Sequence, residues 1–448
     1  MKKILYIFAT GIALTACTAD EPLQEISSPS TTSQTSSDLR TTAEILEIAS
    51  NASELITPNG QEKGLSKGFG RVIDYSTPIM PIGRNGSRAA DNEALMYVVN
   101  YADDNGFSMI SAHRNAPELL AVTQKGHYDP SKKTDIYGFN LWMEETLQML
   151  ECSELEHQKL LETYAGKTIK TVTDTLEYRF VPNRINVAWG QMSEESYEDA
   201  CEGLDCPNGI SGCANTAIAM AMAFLERPDY LTLTYKKDPA TQKNKTLRFR
   251  WQEIKKYLAK PNPQDNMWPI ASEDPKLDAK YGPYNIRESI TELFRQIGID
   301  TKSDYTNPKV TTTFHNDAFM AMHQYALTSA SGWEKGAGLE CFNTLFNNTS
   351  CILLVSGKDP AYDIAHIWVC DGLHNYQIRK RILESTDGGK TWNTTQTTLE
   401  KEYCLVNYNW GMHGKYDGYY LYTDTKVLKD DIILRDFTEE RMILKVIQ

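Results

Sequence analysis

Residues 211–228 read SGCANTAIAMAMAFLERP. From Ala214 onward the run is dense in alanine and methionine, which favour helix. Gly212 frees the backbone to turn sharply into that helix. Cys213 therefore stands at the helix N-terminus, where aligned amides and the partial positive charge favour a thiolate. The alanines at 214, 217, 219 and 221 allow close packing against neighbouring elements. Taken alone, the segment fits a buried structural cysteine capping a core helix better than it fits a nucleophile.

A partner for the thiol lies downstream. Cys351-Ile352-Leu353-Leu354-Val355-Ser356 reads as a buried strand, and a turn leads to Ala365-His366-Ile367-Trp368-Val369-Cys370-Asp371-Gly372. His366 opens that second strand. It follows Cys213 by 153 residues, close to the spacing of about 130–150 between the cysteine and histidine of papain-type enzymes. Leu405 to Gly411 forms a further strand ending in Asn409-Trp410-Gly411. An Asn409 carbonyl could accept the imidazole N–H and fix its tautomer, and the Trp410 indole could shield that bond. Asp371 lies five residues after His366, an odd offset that turns it to the opposite face of a strand.

Upstream, residues 94–124 alternate as paired strands around the turn Asp103-Asp104-Asn105-Gly106. Residues 39–58 carry helical periodicity. So do residues 137–165, with Phe139, Met143, Leu147 and Leu150 on one face. Residues 39–165 thus read as an α+β unit. The polar stretch 166–182 reads as a maturation linker, and 183–448 as the domain holding the chemistry. Between His366 and Asn409 a long excursion reads as a hairpin around Asp387-Gly388-Gly389, projecting near the cleft.

The first 17 residues have the build of an export leader. Lys2 and Lys3 precede an apolar run, Ile4 to Leu14, too short to span a bilayer. Leu14-Thr15-Ala16-Cys17 follows and resembles the lipobox of bacterial lipoproteins, which makes Cys17 the lipidation site. Residues 18–38, rich in Ser, Thr, Pro and Glu, read as a flexible tether. These features place the protein in a bacterial cell envelope, on the membrane through an N-terminal lipid only.

SGCANTAIAMAMAFLERP resembles the nucleophile helix of streptopain-like cysteine peptidases, AHIWVCDG their histidine strand, and VNYNWGMHGKYDGYY (406–420) their Asn-Trp-Gly segment. NVAWGQ (186–191) resembles the segment supplying the oxyanion-hole glutamine, here Gln191. RFRWQEI and ESITELFRQIGI resemble the middle helices. MYVVNYADDNGFSMISAHRNAPELLAVTQKGHYDPSK (96–132) resembles the family's propeptide. The resemblance implies a papain-like two-part peptidase domain, helical part plus antiparallel sheet, preceded by an α+β inhibitory propeptide. Its implied partners are protein or peptide substrates and its own propeptide. Several positions depart from the family pattern. Ala214-Asn215 replace Val-Ala, Ala365 replaces glycine, and Met412-His413 replace the second Trp-Gly.

Composition narrows the alternatives. A net charge of −13 with no basic block argues against nucleic-acid binding. His127 and His374 have no clustered ligands at metal spacing, so no metal and no cofactor is expected. His413 reads as a surface-loop histidine. Of the nine cysteines, Cys201 and Cys206 are the most plausible disulfide pair, while Cys351, Cys370 and Cys404 sit in apolar strands as free thiols. Two rival functions stand beside the peptidase: a catalytically silent peptidase-fold surface protein, and a papain-fold amidase or acyltransferase.

Overall fold

The computed structural model describes residues 39–53, 71–80, 93–191, 209–258, 286–335 and 344–447, apart from 133, 165–166, 186, 188, 308, 346, 360–363, 388–389, 423–425, 430–431 and 437–441. Cys17, Cys201, Cys206 and the tether lie outside these residues. The architecture is α+β.

Helix α1 (Thr42–Ala52) starts at a capping box in which Thr41 and Glu44 exchange side-chain and backbone hydrogen bonds. Four antiparallel strands follow in chain order: β1 (Ile73–Ile79), β2 (Met96–Tyr101), β3 (Phe107–Ser111) and β4 (Leu119–Thr123). The β2–β3 turn holds Asp103 and Asp104 both at φ 58, the left-handed pair a tight hairpin needs. Helix α2 (Tyr137–Thr163) then runs as expected for 137–165, burying Phe139, Met143 and Leu150.

The stretch expected as a linker is strand β5 (Thr168–Val181). The helical part comprises α3 (Cys213–Leu225), α4 (Trp251–Leu258), α5 (Ile286–Asp300) and α6 (His315–Gln324), with a hairpin of β6 (Tyr230–Lys237) and β7 (Asn244–Arg248). Next come β8 (Glu334–Lys335), β9 (Cys351–Asp359), β10 (Ile364–Ser385), β11 (Asn393–Asn409) and β12 (Gly418–Tyr422). A small hairpin of β13 (Lys426–Lys429) and β14 (Ile432–Asp436) leads to β15 (Met442–Ile447).

One sheet unites the two halves of the chain, in the order β1-β2-β3-β4-β12-β11-β10-β9-β15-β8. The seam is β4 against β12, with Thr123 opposite Gly418 and Ala121 opposite Tyr420. β5 pairs with the far half of β10, Leu373 to Ser385, continuing the line of β9. The expected hairpin around Asp387 is present as β10–β11. The end of β10 that leads into it runs away from His366, not towards the cleft as expected. Ser385 lies 19 residues beyond His366 on one strand, about 60 Å away along its length.

Residue alternation on β9 and β10 builds two cores, one on each side of the sheet. Leu353, Val355, Trp368 and Cys370 join a core containing Phe139 and Trp142 of α2. Ile352, Leu354, Ile367 and Val369 join a second core with α3, α5 and α6. Helix α3 is buried nearly all round, as its unbroken apolar run requires.

Candidate active site

Gly212 takes φ +90 as the residue before α3, so the chain turns abruptly and Cys213 becomes the first helical residue. The turn is held from behind. The Thr311 hydroxyl donates to Ile210 O at 2.6 Å, and the Asn215 amide donates to Ser211 O at 2.8 Å. Asn215 is fully buried. Its amide nitrogen also donates to Ser303 Oγ and Tyr305 Oη, and its oxygen accepts from the Thr301 hydroxyl. Asn215 thus ties the Gly212–Cys213 turn to residues 301–305, a role the segment's sequence did not signal.

Cys213 is half-buried and packs against the helical-side core. Its thiol lies above the usual thiol range. Burial is the main cause, and it outweighs hydrogen bonds with the backbone of Ile367, of Ala214 and of Cys213 itself. The low thiol pKa expected from the helix end is therefore not reached in this state, because desolvation exceeds the pull of the amides.

His366 begins the run of β10 that lies against α3. Its ring follows the parity of Trp368 and stacks on that indole, with centroids 5.9 Å apart and planes 22° from parallel. The imidazole therefore sits on the α2 side of the strand, while Cys213 packs on the helical side. Burial pushes the imidazole down to about 4, opposed by a hydrogen bond to the Trp410 backbone. Its Nε2 has no hydrogen-bond partner among the described residues. Thiol and imidazole are thus both neutral and not hydrogen-bonded to each other, the thiol meeting instead the backbone of Ile367.

Helix α2 accounts for the imidazole's burial. A Cβ at Gly138 would lie 2.5 Å from Trp410 Cζ3 and 3.1 Å from His366 Cδ2. The first turn of α2 is pressed on the indole and imidazole together, and only glycine fits. Nothing in the helical periodicity of 137–165 distinguished this glycine.

Asn409 does not reach the imidazole here. Its Oδ1 accepts from Gly411 N–H at 3.1 Å, and its amide nitrogen donates to Val187 O at 3.5 Å. Trp410 is buried between Trp368, Tyr408 and Tyr420, and its indole N–H donates to Tyr416 O at 3.1 Å. Gln191 is brought to the site by its backbone. Its N–H donates to Gly411 O at 2.9 Å, and its carbonyl accepts from Ser211 N–H at 3.0 Å. The Gln191 amide nitrogen rests on Met412 Sδ at 3.5 Å. His413 is half-buried with its ring against Gly190, rather than a surface-loop residue. Asp371 stands apart as the strand parity required. Its carboxylate accepts from Arg184 N and Ile185 N at 2.9 and 2.6 Å, and burial holds it up at about 6.

Residues 189–420, just over half of the chain, match the model of the peptidase C10 family. The chain belongs to the peptidase C10 family. Residues 41–149 match the model described as Spi protease inhibitor. This C10 peptidase is therefore a cysteine-type peptidase with an inhibitor-type propeptide domain at its N-terminal side. Comparison with curated proteins gives no match. Among solved structures, the C10 peptidase is similar to a fragment of Prevotella intermedia prointerpain A in which one cysteine is mutated to alanine. Identity is 17%, coverage is 82% of this chain and 98% of that one, and the TM-score is 0.43. Among the described residues, no helix is long and apolar enough to cross a membrane.

Proposed function

We propose that the protein is an exported, lipid-anchored cysteine endopeptidase made as a self-inhibited zymogen, with Cys213 as nucleophile and His366 as base. The observation that carries this reading is the contact between the Cys213 thiol and the backbone of Ile367. It sets the N-terminus of α3 beside the residue that follows His366; pairing the two groups then requires the imidazole to leave its place against α2 and Trp368 and turn to the helical side.

The arrangement described is the closed one. Loss of the propeptide removes α2 from the imidazole and admits water. His366 then takes the thiol proton, and the helix end stabilises the thiolate. The thiolate attacks the substrate carbonyl carbon. The resulting oxyanion is met by the Cys213 backbone N–H and the Gln191 amide. As the C–N bond breaks, His366 passes its proton to the leaving amine. Water, deprotonated by His366, then hydrolyses the thioester and regenerates the thiol. Asn409 would accept the imidazole N–H once the ring faces the thiol, and Trp410 would screen that bond. Export and anchoring rest on the leader and on Cys17.

Cys213→Ala is expected to abolish both casein hydrolysis and propeptide removal while leaving circular dichroism unchanged. Casein cleavage at the wild-type rate by the folded variant would refute the assignment.

A further inference from the structure

The segment from Asn409 to Asp417 is a tight loop with an unusual backbone. Gly411, His413, Gly414 and Tyr416 all have φ between 55 and 78, and two of these are not glycine. Such a loop is held by its contacts rather than by local preference. Lys415 N–H donates to Met412 O and Asp417 N–H to Gly414 O, at 2.9 and 3.2 Å. Two side-chain bonds join the end of the loop to its beginning: the Trp410 indole N–H donates to Tyr416 O at 3.1 Å, and Asp417 Oδ1 accepts from Trp410 N–H at 2.9 Å.

Trp410 is the residue whose backbone hydrogen-bonds the His366 ring. We propose that Asp417 is a positioning residue for the reaction, its carboxyl closing the loop onto the Trp410 amide and so fixing the backbone that meets the imidazole. The proposal rests on His366 being the base. It concerns a side chain that touches neither substrate nor thiol and acts only through Trp410.

The surroundings fit an acceptor that is not an exposed charge. Asp417 is buried. Burial raises its carboxyl to about 8, opposed by the Trp410 N–H and by Lys125 after β4, and reinforced by Asp371 on β10. Tyr420 on β12 faces the same carboxyl. A neutral carboxyl can still accept at Oδ1, so an amide of the same shape should replace it. The propeptide reaches the same place: Gln124 N–H donates to Asp417 O, and Tyr416 N–H to Lys125 O.

The test uses the full-length chain after self-maturation, with turnover counted per alkylatable Cys213. Asp417→Ala is expected to lower kcat by about 10- to 100-fold with KM unchanged, as a misplaced base does. It should also move the basic limb of the pH–rate profile to lower pH, because the imidazolium loses the backbone bond that favours it. Asp417→Asn, which keeps the acceptor oxygen, should restore both. Asp417→Ala with wild-type kcat and an unmoved basic limb would overturn the proposal, whatever its melting temperature. If Asp417→Ala does not fold, Asp417→Asn decides: folded but inactive, it would overturn the proposal. His366→Ala separates the two readings. If that variant stays active, the base assignment fails. If it is dead while Asp417→Ala matches wild type, only the role of Asp417 fails.

Discussion

Two effects pull on the Cys213 thiol in opposite directions. The α3 amides and the Ile367 backbone favour thiolate, and burial favours thiol. Burial wins in the closed state, and His366 is kept neutral by the same cause. The sequence singled out both residues, from the turn at Gly212 and the spacing to the histidine strand. Their neutrality was not legible there, because it comes from burial in the folded chain, for His366 under α2, which lies far away in sequence. Gln191 was legible only through resemblance, and the structure adds that its amide rests on Met412 Sδ. A thioether is a weak acceptor, so a developing oxyanion should displace it readily. Gln191→Ala is expected to lower kcat by about 10²–10³, checked by steady-state turnover of the matured enzyme. An unchanged kcat would remove Gln191 from the oxyanion site.

At the level of elements, hydrophobic periodicity located α2, the β2–β3 hairpin and the strands carrying His366 and Asn409. It did not locate β5. Residues 168–181 are largely polar, and their strand state comes from pairing with β10, a contact invisible in local pattern. The same long-range dependence hid the meaning of Gly138. In an isolated helix, Gly138→Ala should stabilise by about 1 kcal/mol. Against a buried indole 2.5 Å away, overpacking should cost about 1–3 kcal/mol and prevail. The full-length Gly138→Ala protein is therefore expected to melt lower in a Cys213→Ala background, and to lose its propeptide faster in the active background. A higher melting temperature with slower processing would show that α2 does not press on the site.

Taken whole, the described residues are built on one large sheet with a core on each face, and the propeptide supplies four of its strands and two helices, α1 and α2, that pack on one of those cores. The α+β class followed from sequence pattern for residues 39–165 and from the family resemblance for the rest. The β4–β12 seam did not, because strand order between distant segments leaves no local trace. Closure has a pH signature. His366 sits near 4 in the closed protein, against an ordinary value of 6.5. The open or unfolded protein thus binds a proton that the closed protein refuses. Stability of the closed form should fall as pH drops from about 6.5 to about 4, by up to about 3 kcal/mol from this group. In the Cys213→Ala zymogen, melting temperature should decline more steeply over that window than in the same protein carrying His366→Gln. Parallel curves would show that the imidazole is not the group refused its proton. Asp417, raised to about 8, contributes with the opposite sign, losing stabilisation as pH rises from about 4 to about 8.

The propeptide, on this view, keeps a competent thiol neutral until it is removed. The rate of Cys213 alkylation against pH, in the intact zymogen and after maturation, reads that state at the thiol itself. The zymogen should react slowly below the ordinary thiol range. The matured enzyme should react fast well into mildly acidic pH, as a thiolate paired with an imidazolium. Equal rates with equal pH dependence in the two forms would mean that the propeptide does not control the thiol's charge.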